Sequence, residues 1–120
     1  MRVRKAVIVD DEFLITDYLT VICKGAGVEV AGIAHRPDEA YQMVMEKKPD
    51  FVLMDVRLKA EEDGVDVSNR IHAELPETKI IFITGSNEPS TIQKINSDHP
   101  YRILIKPINP KDLVETLQSV

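Results

Sequence analysis

The chain has 120 residues, which is the length of one domain and too short for two independent hydrophobic cores. Apolar residues make up 43% of the chain and charged residues 29%, a balance typical of a globular protein; without tryptophan, its core must be mostly aliphatic. The formal net charge of −5 argues against direct nucleic acid binding by this chain, because that binding requires an excess of lysine and arginine. We therefore predict a single domain spanning 1–120.

Cysteine usage and the lengths of the apolar runs exclude further classes of protein. Cys23 is the single cysteine, so the chain cannot form an internal disulfide, and the sequence has no cysteine–histidine cluster for zinc. No apolar run approaches the roughly 18 residues of a membrane span, and the run at 6–9 is too short for a signal-peptide core. We expect a cytoplasmic protein that does not bind membranes.

Short apolar runs alternate with longer amphipathic segments along the chain. In chain order the pattern predicts strand 6–9, helix 12–24, strand 28–34, helix 37–48, strand 51–54, helix 65–75, strand 80–83, a short polar helix 89–96, strand 103–105 and a helix that begins at Pro110. Five strands that alternate with five helices predict an α/β, doubly wound, parallel sheet covered on both faces. The second strand is less apolar than the others and should lie at or near an edge.

Polar side chains follow four of the five predicted strands. Asp10 and Asp11 come after the first strand, Asp55 after the third, Thr84 after the fourth and Lys106 after the fifth. A lone aspartate at such a place is more often a turn former than a functional group. In a doubly wound sheet, however, ligands bind at the carboxyl ends of the strands, so these side chains should gather on one rim.

The residue types on this rim indicate phosphoryl chemistry supported by a metal ion. Two carboxylates 4 Å apart repel by about 4 kcal/mol at an effective dielectric of 20, so three of them favour a bound cation. Oxygen ligands without histidine or cysteine predict Mg²⁺, or Mn²⁺ in its place. A carboxylate can act as a nucleophile and form an aspartyl phosphate, and a lysine can neutralise the phosphoryl oxygens.

Two further residues at the end of the fourth strand could contact a phosphoryl group. The hydroxyl of Thr84 could donate a hydrogen bond to a phosphoryl oxygen, and Gly85 leaves its own backbone N–H sterically accessible. A carboxylate nucleophile needs no general base. We interpret His35, His72 and His99 as surface or structural residues.

At four segments the chain resembles the receiver domain of two-component response regulators. They are Val-Ile-Val-Asp-Asp-Glu at 7–12, Val-Leu-Met-Asp at 52–55, Ile-Thr-Gly at 83–85 and Ile-Lys-Pro at 105–107. The similarity covers essentially the whole chain, in order and with suitable spacing. We therefore predict a flavodoxin-like sheet of order 2-1-3-4-5.

The resemblance implies a phosphoryl-accepting switch in a signal transduction pathway or phosphorelay. Asp55 matches the phosphorylated aspartate, and its donor would be a phosphohistidine on a sensor histidine kinase or a histidine phosphotransfer protein. Asp10 and Asp11 match the acidic pair that holds Mg²⁺, with Asp11 as the direct ligand and Asp10 acting through water. Asp55 itself and the backbone carbonyl of Arg57 complete the implied metal site.

Thr84 matches the hydroxyl that moves toward the phosphoryl group, and Lys106 matches the lysine that pairs with it. The resemblance also implies a cis bond between Lys106 and Pro107. Output would use the face formed by the fourth helix, fifth strand and fifth helix, at 88–96, 101–104 and 111–117. The partner or domain that receives this output is not identified by the sequence. The chain would be no enzyme, apart from catalysing its own phosphorylation and dephosphorylation.

Three departures from the receiver pattern leave alternatives open. Ile103 replaces the usual Tyr or Phe, Lys59 replaces a common Pro, and the loop 57–64 is one residue longer than in many receivers. Ile103 allows a degenerate receiver that binds partners without phosphorylation. A haloacid-dehalogenase-like phosphatase would also use an aspartate nucleophile and Mg²⁺, but it requires a second aspartate where this chain has Arg57.

Overall fold

The computed structural model of this protein describes residues 3–56, 64–85 and 102–119. In these ranges the chain forms, in order, β1 (Lys5–Val9), α1 (Phe13–Gly25), β2 (Glu29–Ala34), α2 (Pro37–Lys47), β3 (Phe51–Asp55), α3 (Gly64–Glu74), β4 (Lys79–Thr84), β5 (Arg102–Ile105) and α4 (Pro110–Gln118). Each predicted boundary in these ranges lies within one residue of the observed one. The predicted helix 89–96 lies outside the described residues.

The five strands form a single parallel sheet in the order β2-β1-β3-β4-β5. This order confirms the predicted flavodoxin-like arrangement. β2 lies at one edge of the sheet, as its weaker apolar pattern predicted, and β5 lies at the other. Every residue of the central strand β3 is buried.

Alternate residues of the central strands pack into two separate cores. Val7 and Val52 face one core together with apolar side chains of α2 and α3. Ile8 and Leu53 face the other core, where α1 and α4 cover the sheet. A strand covered on both faces must be apolar at consecutive positions, which explains the unbroken runs in the sequence.

Local signals in the sequence set the ends of the helices. Pro37 occupies the first turn of α2, where its missing N–H leaves no helical hydrogen bond unmade. The helix ends at Lys47, and the following residue, Lys48, adopts a left-handed conformation with φ of 46°. Before α4, the Asn109 side chain accepts a hydrogen bond of 3.0 Å from the Lys111 backbone N–H. Asn109 therefore caps the N-terminus of α4.

The packing of α4 on the sheet makes a testable prediction. Leu113 is 0% exposed in the second core, so Leu113→Ala removes buried apolar volume and should lower the free energy of unfolding by about 2–5 kcal/mol. Leu14→Ala is the matched control, because Leu14 is 83% exposed and its truncation should change the same quantity by less than about 0.5 kcal/mol. Urea denaturation followed by circular dichroism measures both. Equal effects would contradict the packing described.

Candidate functional site

The polar residues singled out at the strand ends lie on one rim of the sheet. Asp10 directly follows β1, Asp55 and Thr84 are the last residues of β3 and β4, and Lys106 directly follows β5. Because the strands are parallel, their carboxyl ends face the same side. The register aligns Asp55 with Ile83 and so places the ends of β3 and β4 next to each other.

Three aspartates form a compact acidic cluster on this rim. Asp10, Asp11 and Asp55 each offer a carboxylate oxygen, and these oxygens lie within 4.8 Å of one another. Asp10 is 1% exposed and Asp55 5% exposed, while Asp11 is half-buried. The donors are all oxygen, as Mg²⁺ and Mn²⁺ prefer. The three residues therefore fit a hard divalent cation.

Lys106 brings a positive charge to the cluster. Its Nζ lies 3.5 Å from Oδ2 of Asp10 and 3.8 Å from Oδ2 of Asp55. The Lys106 backbone N–H donates to the Thr84 carbonyl at 2.7 Å, so the pairing of β4 with β5 continues to this residue. The following bond, Lys106–Pro107, is cis, as the receiver resemblance implied. A single ammonium cannot neutralise three carboxylates, so the ionised site has a net negative charge that a bound cation would offset.

The environment of Asp10 makes its negative charge unfavourable. Burial raises the pKa of Asp10 above its usual value, and the neighbouring charge of Asp11 adds to the rise. Two contacts act in the opposite direction: the Glu12 backbone N–H donates to Oδ1 of Asp10 at 2.9 Å, and Lys106 approaches Oδ2. Burial outweighs these contacts, so a cation bound at the cluster would stabilise the charged form.

A close approach of α3 supports the backbone of Asp55. Gly64 begins α3 and packs against the Asp55 carbonyl so tightly that a Cβ would collide with it and crowd Met54. The Gly64 N–H donates to the Val56 carbonyl at 2.9 Å, and the Val56 N–H donates to the Ile83 carbonyl at 3.3 Å. Gly64 is therefore a site residue that the sequence reasoning missed, because a glycine that ends a loop is an ordinary turn signal.

Thr84 and Gly85 occupy the positions expected of them. Thr84 is 1% exposed at the end of β4. Gly85 is exposed, and a Cβ built there would meet no atom within 4 Å in the described part of the chain. The contact between its backbone N–H and a phosphoryl group stays a prediction. Arg57, the fourth residue of the implied metal site, lies outside the described residues.

An apolar groove, which the sequence did not suggest, opens beside Lys106. Its volume is about 480 Å³, and it is lined by Ile15, Tyr18, Gly85, Lys106, Pro107 and Ile108. The Tyr18 hydroxyl donates to the Ile108 carbonyl at 3.4 Å, which links α1 to the segment after β5. Sequence reasoning missed the groove because its walls come from parts of the chain about ninety residues apart.

Comparison with known proteins agrees with this arrangement. The family model of the response regulator receiver domain matches residues 6–118. This chain belongs to the response regulator receiver family. The haloacid-dehalogenase alternative, already weakened by Arg57, has no support from this match. The predicted extent of the domain, 1–120, stays a prediction.

The similar proteins differ in how much of their length this receiver spans. It is 32% identical to the chemotaxis protein CheY of Thermotoga maritima, over 98% of this chain and 97% of that protein. It is 37% identical to the oxygen regulatory protein NreC of Staphylococcus haemolyticus, over 67% of this chain but 37% of that protein. NreC therefore contains much more chain than the part that matches this receiver.

Solved structures show the same fold. The receiver domain of a modulated diguanylate cyclase from Desulfovibrio desulfuricans superposes with a TM-score of 0.89 at 28% identity, covering 98% of this chain and 93% of that one. The chemotaxis protein CheY4 of Vibrio cholerae superposes with a TM-score of 0.88 at 26% identity, covering 99% of both chains.

Among the described residues, the helices are all too short or too polar to cross a bilayer.

The contact between Gly64 and Asp55 predicts a strong effect of a single methyl group. Gly64→Ala should lower the free energy of unfolding by about 1–3 kcal/mol, because the added Cβ collides with rigid backbone. Gly25→Ala is the matched control: Gly25 lies in α1 with open space around it, so alanine should be neutral or stabilising by up to about 1 kcal/mol. Urea denaturation measures both, and equal effects would exclude a special role for Gly64.

The raised pKa of Asp10 predicts a pH-dependent effect of its neutralisation. The folded protein holds the Asp10 proton more tightly than the unfolded chain, so the carboxylate lowers stability once the pH exceeds both pKa values. In EDTA at pH 7, Asp10→Asn should therefore unfold at a higher urea concentration than the wild type. The difference should disappear as the pH falls below the usual aspartate value of about 4.

Asp17→Asn provides the control for this experiment, because Asp17 is exposed on α1. We expect its unfolding midpoint to follow that of the wild type at each pH. A loss of stability in Asp10→Asn at pH 7 without metal would show that the charged carboxylate is favourable, contrary to the prediction.

Proposed function

We propose that this receiver is a phosphoryl-accepting switch of a two-component system, with Asp55 as the acceptor. The observation that carries the proposal is the position of the Lys106 ammonium, 3.8 Å from the Asp55 carboxylate and 3.5 Å from that of Asp10. A lysine between an acceptor carboxylate and a group of metal-type oxygen donors is the charge arrangement that phosphoryl transfer requires.

The transfer reaction balances without a general base. An Asp55 carboxylate oxygen forms a bond to phosphorus while the phosphorus–nitrogen bond of a phosphohistidine breaks. The electron pair of that bond remains on the imidazole nitrogen, which takes up a proton from water. In a separate hydrolysis step, water attacks phosphorus and the bond between phosphorus and the Asp55 oxygen breaks, which releases inorganic phosphate and restores the carboxylate. The protein thus catalyses its own phosphorylation and dephosphorylation and acts on no other substrate.

The acidic cluster would hold the metal ion that this reaction needs. Asp10, Asp11 and Asp55 would bind Mg²⁺, or Mn²⁺ in its place, together with the backbone carbonyl of Arg57. When bound, the ion supplies positive charge to the phosphoryl oxygens. The burial of Asp10 supports this role: burial raises the pKa of Asp10 although Lys106 lies nearby, so a bound cation would stabilise the charged carboxylate.

Thr84 and Lys106 would respond to the new phosphoryl group. Phosphorylation adds close to two negative charges. Lys106 would pair with one phosphoryl oxygen, and the Thr84 hydroxyl, which lies at the end of the neighbouring strand, would donate to another. The switch then depends on two arrangements of the protein that differ in how they satisfy these contacts.

The donor would be a phosphohistidine on a sensor histidine kinase or a histidine phosphotransfer protein. The apolar groove beside Lys106 supports a protein donor, because such a surface can bury apolar side chains of a partner next to the acceptor. Leu14 is 83% exposed on α1, the helix that supplies one wall of the groove. A cytoplasmic location follows from this pairing with a kinase and is proposed with it.

The proposed output surface includes the predicted helix 89–96, which lies outside the described residues. Changes at Asp55 would reach the face formed by the predicted fourth helix, by β5 and by α4, as in the family, and an output partner or domain would bind there. Within this face, Ile103 of β5 is half-buried and packs against the core beneath α2 and α3. An isoleucine cannot swing an aromatic ring, which supports the alternative of a receiver that binds partners without phosphorylation.

Phosphorylation in vitro tests the proposal. With Mg²⁺ and acetyl phosphate, the wild type should take up one acid-labile phosphoryl group per chain, and Asp55→Asn should take up none. Asp66→Asn is the matched control, since Asp66 lies in the first turn of α3 and outside the cluster. It should be labelled like the wild type.

Mg²⁺ titration separates the alternatives. A degenerate receiver would take up no phosphoryl group and show no response to Mg²⁺ in the millimolar range. Phosphorylation that persists in Asp55→Asn, or that is unchanged in EDTA, would overturn the assignment of the acceptor or of the metal site.

A further inference from the structure

The ring of His35 contacts the backbone of the acidic cluster. Nδ1 of His35 lies 2.8 Å from the carbonyl oxygen of Asp10. A carbonyl oxygen can only accept a hydrogen bond, so Nδ1 carries the proton and donates it. The acceptor belongs to the peptide group that joins Asp10 to Asp11, which are two members of the cluster.

Two further contacts hold the His35 residue itself in place. Its backbone N–H donates to Oε1 of Glu39 at 3.0 Å, which anchors the turn between β2 and α2. Its ring packs against the ring of Phe13, with the centroids 4.3 Å apart and the planes tilted by 41°. The donor at Nδ1 is therefore attached to a side chain whose backbone and ring face are both restrained.

The same turn also holds the other peptide group of Asp10. The Asp10 N–H donates to the Ala34 carbonyl at 3.1 Å, which continues the pairing of β1 with β2 beyond the last residue of β1. Both peptide groups of Asp10 are thus bonded to consecutive residues, Ala34 and His35. A change in ψ of Asp10 would turn its carbonyl away from His35, and it would also move the Asp11 side chain relative to the Asp10 side chain.

We propose that His35 is a positioning residue for the metal site, an inference that rests on the proposed Mg²⁺-dependent function. The Nδ1–H group fixes the orientation of the Asp10–Asp11 peptide, and this orientation sets where the two carboxylates meet the ion. His35 does not touch the ion. Hydrogen bonds behind metal ligands commonly change metal affinity by about 10- to 100-fold when they are removed.

Two substitutions separate the hydrogen bond from the ring packing. His35→Phe keeps a flat ring against Phe13 but has no donor. His35→Asn loses the ring but places an amide N–H close to the position of Nδ1. If His35 is a positioning residue, the variant without the N–H donor, His35→Phe, should lose metal affinity. The variant without the ring, His35→Asn, should lose packing stability but keep the metal affinity.

Isothermal titration of the metal-free protein with MgCl₂ measures the affinity, and urea denaturation in EDTA measures the stability. His35→Phe should bind Mg²⁺ about tenfold more weakly than the wild type, and His35→Asn should retain the wild-type affinity. His72→Phe and His72→Asn are the matched controls, since His72 is also half-buried but lies in the last turn of α3. They should leave Mg²⁺ binding unchanged.

The outcomes distinguish this inference from the proposed function. If the wild type binds Mg²⁺ and His35→Phe binds it equally well, the positioning role is overturned and the proposed function stands. Equal losses of affinity in His35→Phe and His35→Asn, in step with lost stability, would show a packing role only and would also overturn it. If the wild type itself binds no Mg²⁺, the proposed function fails together with this inference.

A measurement on the wild type covers the case in which His35→Phe does not fold. Nuclear magnetic resonance of ¹⁵N-labelled histidine identifies which ring nitrogen carries the proton. We expect His35 to carry it on Nδ1 both in EDTA and in saturating Mg²⁺. A neutral ring protonated only on Nε2 in the Mg²⁺-bound protein would overturn the proposal, because Nδ1 could then not donate.

Discussion

Repulsion among three carboxylates is the constraint on which the rest of this site depends. The oxygens of Asp10, Asp11 and Asp55 share a region less than 5 Å across, and two of these residues are almost completely removed from water. At such distances the repulsion between a pair is worth about 4 kcal/mol at an effective dielectric of 20. The fold must therefore hold these groups together against their own charge, and Lys106 offsets part of the repulsion. The repulsion that Lys106 does not offset favours the binding of a divalent cation, and the bound cation then favours a phosphoryl group.

The means of holding the charges together is rigid backbone. The parallel sheet places Asp10 and Asp55 at the carboxyl ends of the adjacent strands β1 and β3, which are packed on both faces by apolar side chains. Gly64 then lets α3 approach the Asp55 carbonyl closely, and His35, which directly follows β2, bonds to the Asp10 carbonyl. The polar groups of the site are thus fixed through main-chain contacts, and their side chains remain able to meet a ligand. Preorganisation of this kind is what makes an electrostatic site effective.

The fold was predictable because each of its elements has a local signal. Continuous apolar runs identified the buried strands, and Pro37, Asn109 and Pro110 marked helix starts. The rule that ligands bind at the carboxyl ends of parallel strands then gathered the site residues correctly on one rim. Gly64 and the groove beside Lys106 were not predicted. Both depend on the distance between segments that are remote in the chain or separated by a loop, and the residue types involved have commoner explanations.

The sequence alone therefore determined the strand order, the acidic cluster, the lysine that faces it and membership of the receiver family. The acidic cluster and Lys106 follow from the order of the apolar runs and from the residue that ends each run, whereas the strand order and the family follow from the resemblance of four short segments to receiver domains. Only the tertiary structure decided how the backbone of the cluster is supported, including the contact of His35 with Asp10, 25 residues away. A hydrogen bond between remote residues leaves no periodic pattern in a sequence. Its existence depends on how the end of β2 lies beside the end of β1 after the sheet has formed.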